Sequence, residues 1–196
     1  MFNERKINWE NEVTIATGAL GAIFSVINNF AGEGDEVLVF EPYFSLYINQ
    51  IDFSGAKVMT APMYTNENGV WFMDFKAFEA AINEKTKLIV ITNPHNPTGK
   101  MWTEEEIKKL TEIMNRHPHV TILSDEVYFH LSFDGRKHLS FANYGNNWEK
   151  TLTVFSAGKL LNITGWKIGW TIGPADLIKH ALFVHESTAF NANAPG

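Results

Sequence analysis

Lys159 and Lys167 stand eight residues apart in TVFSAGKLLNITGWKIGW, with Ser156 three residues before the first and glycines close to both. A lysine is a nucleophile only when deprotonated, which requires burial or a cationic neighbour. Lys159 sits among Gly158, Leu160 and Leu161, a poor setting for a solvated ammonium, although any one lysine also reads as a surface residue. Three further stretches carry candidate chemistry. ATGALGAI (residues 16–23) runs from an apolar strand into a helix start, where free N–H groups and the helix dipole attract phosphate. A tight strand-to-helix turn explains the same residues. NPHNPTGK (residues 93–100) forbids helix at two Asn-Pro steps and forms either a proline-rich turn or a ligand loop at a strand end. SDEVY (residues 124–128) ends a strand with Asp125 and Glu126. These acids either complement a helix N-terminus or set one buried carboxylate against a cationic ligand atom.

The elements that must position these groups alternate. Solid apolar runs such as KLIVIT and VTILSD fit strands buried on both faces of a mostly parallel sheet. The pattern predicts strands over Val13–Thr17, Glu36–Phe40, Lys57–Ala61, Leu88–Thr92, Val120–Ser124, Thr151–Phe155 and Ile168–Ile172. Helices are predicted in ALGAIFSVINNFA, MDFKAFEAAINEK, TEEEIKKLTEIMNRH and PADLIKHALFVH. The third carries a capping box of Thr103 and Glu106, and Pro174 opens the fourth. Strand–helix alternation of this kind is an α/β fold with helices flanking the sheet. No repeat or low-complexity linker divides the 196 residues, so one domain is expected over 1–196.

Composition narrows the function. The chain is 45% hydrophobic and 19% charged, an ordinary globular balance, and its 15 Phe and 6 Trp argue against disorder. A net charge of −6 argues against nucleic-acid binding. The lack of cysteine excludes disulfides, zinc-thiolate sites and a Cys nucleophile, and no metal site is expected. It fits a reducing compartment, the cytoplasm or else the mitochondrion. No apolar run is long enough to span a bilayer, so no membrane partner is expected, and MFNERKINWENE lacks the core of a signal peptide.

Phosphate-binding amides, an Asn, an acid, a Tyr and a reactive Lys at strand ends are the set that pyridoxal phosphate requires. The chain resembles the fold-type I pyridoxal-phosphate enzymes, the class I/II aminotransferases. It is most similar to the group of kynurenine aminotransferases, glutamine transaminase K and cysteine-S-conjugate β-lyases. SAGK, TGWKIGW, GPADLIKHALFVHES, SDEVYFHLSFDGRKH and FANYGNNWEKTLTV, in that group's spacing, carry the likeness.

The resemblance implies roles. Lys159 is expected to link to pyridoxal 5'-phosphate and then shuttle the proton at the substrate Cα. Asp125 pairs with the ring nitrogen, Tyr128 and Asn96 reach the 3' oxygen, and Phe44 stacks on the ring. Ser156, Lys167 and the backbone N–H groups of Ala19 and Leu20 hold the phosphate. Leu160-Leu161-Asn162 replaces the group's usual Thr-Phe-Ser and changes the pocket wall. The implied reaction moves an amino group from an aromatic or sulfur-containing amino acid to a 2-oxo acid, with β-elimination of cysteine conjugates as a side activity. The expected partners are those substrates and, in the full-length form, a second copy in a homodimer. Members run to about twice this length, so the chain is expected to be the large, cofactor-binding domain, truncated at both ends, without the small domain and its carboxylate-gripping arginine. A truncated, non-catalytic cofactor-binding remnant is the alternative.

Overall fold

The computed structural model describes residue 2, residues 5–191 and residue 193. Strands β1 (Val13–Thr17), β2 (Glu36–Glu41), β3 (Lys57–Thr65), β4 (Trp71–Met73), β5 (Thr86–Thr92), β6 (Thr121–Asp125), β7 (Thr151–Ser156) and β8 (Ile168–Ile172) form one sheet. Their order is β1-β8-β7-β6-β5-β2-β3-β4. The pairs β3/β2, β2/β5, β5/β6 and β6/β7 are parallel, while β8 pairs antiparallel with both β7 and β1, and β4 pairs antiparallel with β3. The expected parallel sheet is therefore its centre, with antiparallel strands at both margins. Helices α1 (Gly18–Phe30), α2 (Leu46–Ser54), α3 (Phe75–Ala80), α4 (Glu104–Arg116), α5 (Ala157–Leu160) and α6 (Ala175–Thr188) complete the chain.

Solid apolar strands arise because both faces are covered. Val37, Val39, Leu88, Val90, Leu123 and Val154 pack with α1, α2 and α6 residues such as Ile23, Ile51 and Ile178. Leu38, Phe40, Ile89, Ile91 and Ile122 point the other way, onto Phe78 of α3 and Ile107, Leu110 and Met114 of α4. Successive strand residues thus enter opposite cores, as the pleat requires.

Differences from the sequence reading have local causes. The helix expected in MDFKAFEAAINEK is only Phe75–Ala80. Asp74 caps its start, accepting from Lys76 N–H (2.9 Å) and Ala77 N–H (3.1 Å). Asn83 ends it by accepting from Lys85 N–H (2.8 Å), a local bond that competes with helix. α2 escaped the pattern because only Tyr47 and Ile51 are buried along it, too thin a stripe to read. The capping box of Thr103 and Glu106 on α4 forms as expected.

Phe78 is fully buried and stacks on Phe40 at 5.2 Å between ring centroids. Phe78→Ala is expected to lower stability by about 3–5 kcal/mol through the cavity it leaves. Urea unfolding with an unchanged m-value would measure this.

Candidate active site

The sheet brings the candidate residues to one edge. Register pairs Thr92 with Asp125, Asp125 with Val154, Ser156 with Gly169, and Thr17 with Ile168. The ends of β1, β5, β6 and β7 and the start of β8 therefore lie side by side. A cavity at this edge is lined by Ala19, Leu20, Phe44, Asn96, Asp125, Tyr128, Ser156, Lys159 and Lys167, so it gathers every residue to which the resemblance gave a role.

One end of the cavity is built from backbone. α1 starts there with no side-chain cap and no acidic residue in its first turn, so its amides and dipole face the cavity uncompensated. Gly18 opens the helix at φ +69°, and a Cβ on Gly169 would lie 2.5 Å from the backbone nitrogen of Ala19. Only glycine lets β8 pass so close to the helix start. A Cβ on Gly158 would likewise fall 2.8 Å from the Cα of Thr164. Lys167 adopts the left-handed conformation (φ 54°, ψ 47°), an uncommon state for a residue other than glycine. Amides, the hydroxyl of the buried Ser156 and the ammonium of Lys167 form a donor and cation set suited to a phosphate dianion.

The other end is built from side chains. Asp125 is buried, and burial pushes its carboxyl up to about 6. Tyr47 O–H donates to its Oδ2 (2.5 Å) and Val127 N–H to its Oδ1 (3.2 Å), and both bonds favour the anion against that desolvation. Burial, with the Asp125 charge adding to it, raises the Tyr128 phenol above its ordinary value. Phe44 meets the Tyr47 ring edge-on at 5.5 Å.

The paired carboxylates divide their roles. Glu126 lies outside the cavity and is fully buried, accepting from Ser124 O–H (2.9 Å), Ser140 O–H (2.9 Å), Phe141 N–H (3.2 Å) and His138 Nε2 (2.7 Å). The two asparagines divide likewise. Asn93 donates to the Leu139 carbonyl (2.8 Å) and accepts from Trp102 N–H (3.3 Å), so it braces the loop, while Asn96 lines the cavity.

Lys159 departs from its sequence setting. It is exposed, because Leu160 and Leu161 are exposed themselves and make no apolar wall around it. Its Nζ lies over the Tyr128 ring at 5.8 Å, and its carbonyl lies 3.0 Å from Nε2 of His130. Sequence reasoning missed Tyr47, Thr92, Gln50 and His130. Gln50 holds the Leu20 carbonyl at 3.1 Å, bracing the start of α1. Tyr47 had one available signal, its place three residues after Phe44. None of the three arginines lines this cavity: Arg116 pairs with Glu79, Arg5 with Glu12, and Arg136 borders a neighbouring cavity shared with Asn96 and Tyr128.

Known proteins share this chain's sequence and fold. The family described as aminotransferase class I and II matches residues 1–196. The chain belongs to the class I and II aminotransferases. It is 36% identical to a kynurenine–oxoglutarate transaminase of Dictyostelium discoideum over 97% of this chain and 47% of that protein. It is 35% identical to human kynurenine–oxoglutarate transaminase 3 over 98% of this chain and 44% of that protein. Among solved structures, N-succinyldiaminopimelate aminotransferase from Mycobacterium tuberculosis superposes with a TM-score of 0.93 at 34% identity, covering 97% of this chain and 49% of that one. A methionine aminotransferase of Escherichia coli gives 0.90 at 28% identity, covering 96% and 49%. The chain thus spans about half the length of the curated relatives it matches. Pyridoxal phosphate is the cofactor that the family supports, and the donor set at one end with a carboxylate at the other fits it.

Asp125 yields a pH signature. Its folded-state value of about 6 stands above the ordinary 3.8, so the native chain holds the extra proton between these values. Its contribution to stability is therefore full below about pH 4 and is lost as the pH rises through 6. Asp125→Asn removes this titration at the constant cost of setting its NH2 against Tyr47 O–H or Val127 N–H, so relative to the parent chain its stability is expected to gain about 2 kcal/mol on going from pH 4 to pH 8. Urea unfolding of both cofactor-free chains at the two pH values would measure that difference.

Proposed function

We propose that this chain is the cofactor-binding large domain of a pyridoxal-phosphate-dependent aminotransferase. Its donor is an aromatic or sulfur-containing amino acid such as kynurenine or methionine, or else glutamine, and its acceptor is a 2-oxo acid. The observation that carries the reading is the single cavity bordered by Lys159, Asp125 and the α1 phosphate cradle. Relatives named as kynurenine–oxoglutarate transaminases and a structural neighbour named as a methionine aminotransferase support the donor class.

The chemistry the cofactor supplies is an electron sink for the pair released at the substrate Cα. The chain's own residues do the rest. The α1 amides, Ser156 and Lys167 bind the phosphate and fix one end of the molecule. The Asp125 anion holds a proton on the ring nitrogen. The Tyr128 phenol and Asn96 hydrogen-bond the 3' oxygen, and Phe44 packs on the ring face. Lys159 would hold the cofactor and would carry the proton at the substrate Cα. Elimination from cysteine conjugates uses the same proton removal followed by loss of a β substituent. A homodimer is the assembly this reading carries for the full-length protein.

One observation favours a second reading, a non-catalytic cofactor-binding remnant: the cavity holds no arginine to grip a substrate carboxylate bidentately. The two separate in one experiment. The chain is mixed with pyridoxal phosphate, and its visible absorbance is followed on adding kynurenine, glutamine or methionine. Loss of that absorbance with release of the 2-oxo acid supports the transaminase, and binding without a half-reaction supports the remnant.

Borohydride reduction of the loaded chain is expected to fix the cofactor on the peptide that contains Lys159. Lys159→Ala should remove both the label and turnover, and an unchanged label would refute the assignment. Lys167→Ala should weaken cofactor binding about tenfold or more, since it deletes a charge-assisted phosphate contact. Equilibrium dialysis would measure this.

A further inference from the structure

Tyr47 is almost wholly buried, and its hydroxyl serves no packing purpose that phenylalanine would not serve. That hydroxyl lies 2.5 Å from Asp125 Oδ2 and 3.0 Å from Thr92 Oγ1. A phenol has one hydrogen, and here the carboxylate takes it. The Thr92 hydroxyl must then donate to the phenolic oxygen, which gives a directed relay from Thr92 through Tyr47 to Asp125. The relay is anchored at its far end, because the Thr92 carbonyl accepts from Trp102 Nε1 at 2.9 Å. It also crosses the fold, joining α2 to the ends of β5 and β6.

Each oxygen of Asp125 thus has one donor from the protein, Tyr47 on Oδ2 and Val127 N–H on Oδ1, and keeps a lone pair for a ligand in the cavity. Besides Tyr47, Glu126 of its own segment acts on it, the Asp125 charge in turn raises Tyr128, and Lys159 and Lys167 line the same cavity. Glu126 disfavours the anion, so the Tyr47 bond opposes both burial and a neighbouring charge.

We propose that Tyr47 is a positioning residue for the cofactor's ring nitrogen: it fixes the Asp125 carboxylate and keeps it less basic than the nitrogen it faces, so the shared proton stays on nitrogen. This rests on the pyridoxal-phosphate reading above. A proton drawn onto Asp125 would leave a neutral ring, a poorer acceptor of the Cα electron pair. Tyr47→Phe keeps the ring packed against Phe44 and removes the hydroxyl with its bonds to Asp125 and Thr92.

The test has one arm without cofactor and one with it. In the cofactor-free chain, carboxyl 13C labelling of aspartate follows the titration of Asp125, whose signal is assigned by its loss in Asp125→Asn. Tyr47→Phe is expected to move the midpoint up by about one pH unit, the worth of one hydrogen bond to a charged acceptor. Thr92→Val, which leaves the phenol a weaker donor, should move it less and in the same direction. An unmoved midpoint in Tyr47→Phe overturns the proposal. Should that variant not fold, as judged by near-ultraviolet circular dichroism, an unmoved Thr92→Val overturns it.

In the second arm, ring-15N pyridoxal phosphate is added. Its nitrogen shift is expected to move from the protonated towards the unprotonated position in Tyr47→Phe, and an unmoved shift overturns the cofactor side of the proposal. If the wild-type chain takes up no pyridoxal phosphate, the proposed function fails and takes that side with it. The carboxyl titration then still decides whether Tyr47 governs Asp125.

Discussion

A carboxylate kept ionisable in a dry place is the constraint on which the site depends. Asp125 ends β6 at the middle of the sheet, with β5 on one side and β7 on the other. Burial there opposes its charge, and two hydrogen bonds from the protein oppose the burial. Water would keep the group ionised more simply, but it would also screen the field that the carboxylate exerts on a ligand. The outcome is an acid poised near 6, ionised at neutral pH yet in a medium where a cationic partner gains most from it.

Strand order explains why the rest of the site collects around that point. β5, β6 and β7 run parallel, so Thr92, Asp125 and Ser156 reach the same edge. β8 returns antiparallel, which brings Lys167 and Ile168 back to that edge instead of the far one. β1, antiparallel to β8, then delivers Thr17 and the start of α1 to the same place. The antiparallel margin is thus what joins the helix start at residues 17–20 to Lys159 and Lys167. An all-parallel continuation would have sent the start of β8 to the opposite edge.

The legible part of this arrangement was whatever lies within one segment. Solid apolar runs revealed β2, β5, β6 and β7, because both faces of those strands are buried. Strand-end positions marked SDEVY, NPHNPTGK and the stretch from Ser156 as candidates, and the family likeness picked Asp125, Asn96 and Ser156 out of them. The cross-chain partners stayed hidden. Tyr47 lies 78 residues from Asp125, and α2 carries too little apolar pattern to announce itself. The setting of Lys159 misled for a related reason: leucines beside it imply burial only if something covers them, and Leu161 is 62% exposed. Apolar neighbours in sequence are not apolar neighbours in space.

The two ends of the cavity are therefore held by different means. At one end the polar groups are backbone amides fixed by a helix start, with glycines at 18 and 169 clearing the approach. Side chains such as Leu20 can vary there without touching those amides, while the glycines cannot. At the other end the polar groups are side chains held by other side chains, Thr92 on Tyr47 and Tyr47 on Asp125. A change of one hydroxyl there alters a charge state instead of a shape. A ligand spanning the cavity would be located by the backbone end and polarised by the side-chain end, so the two can be altered separately.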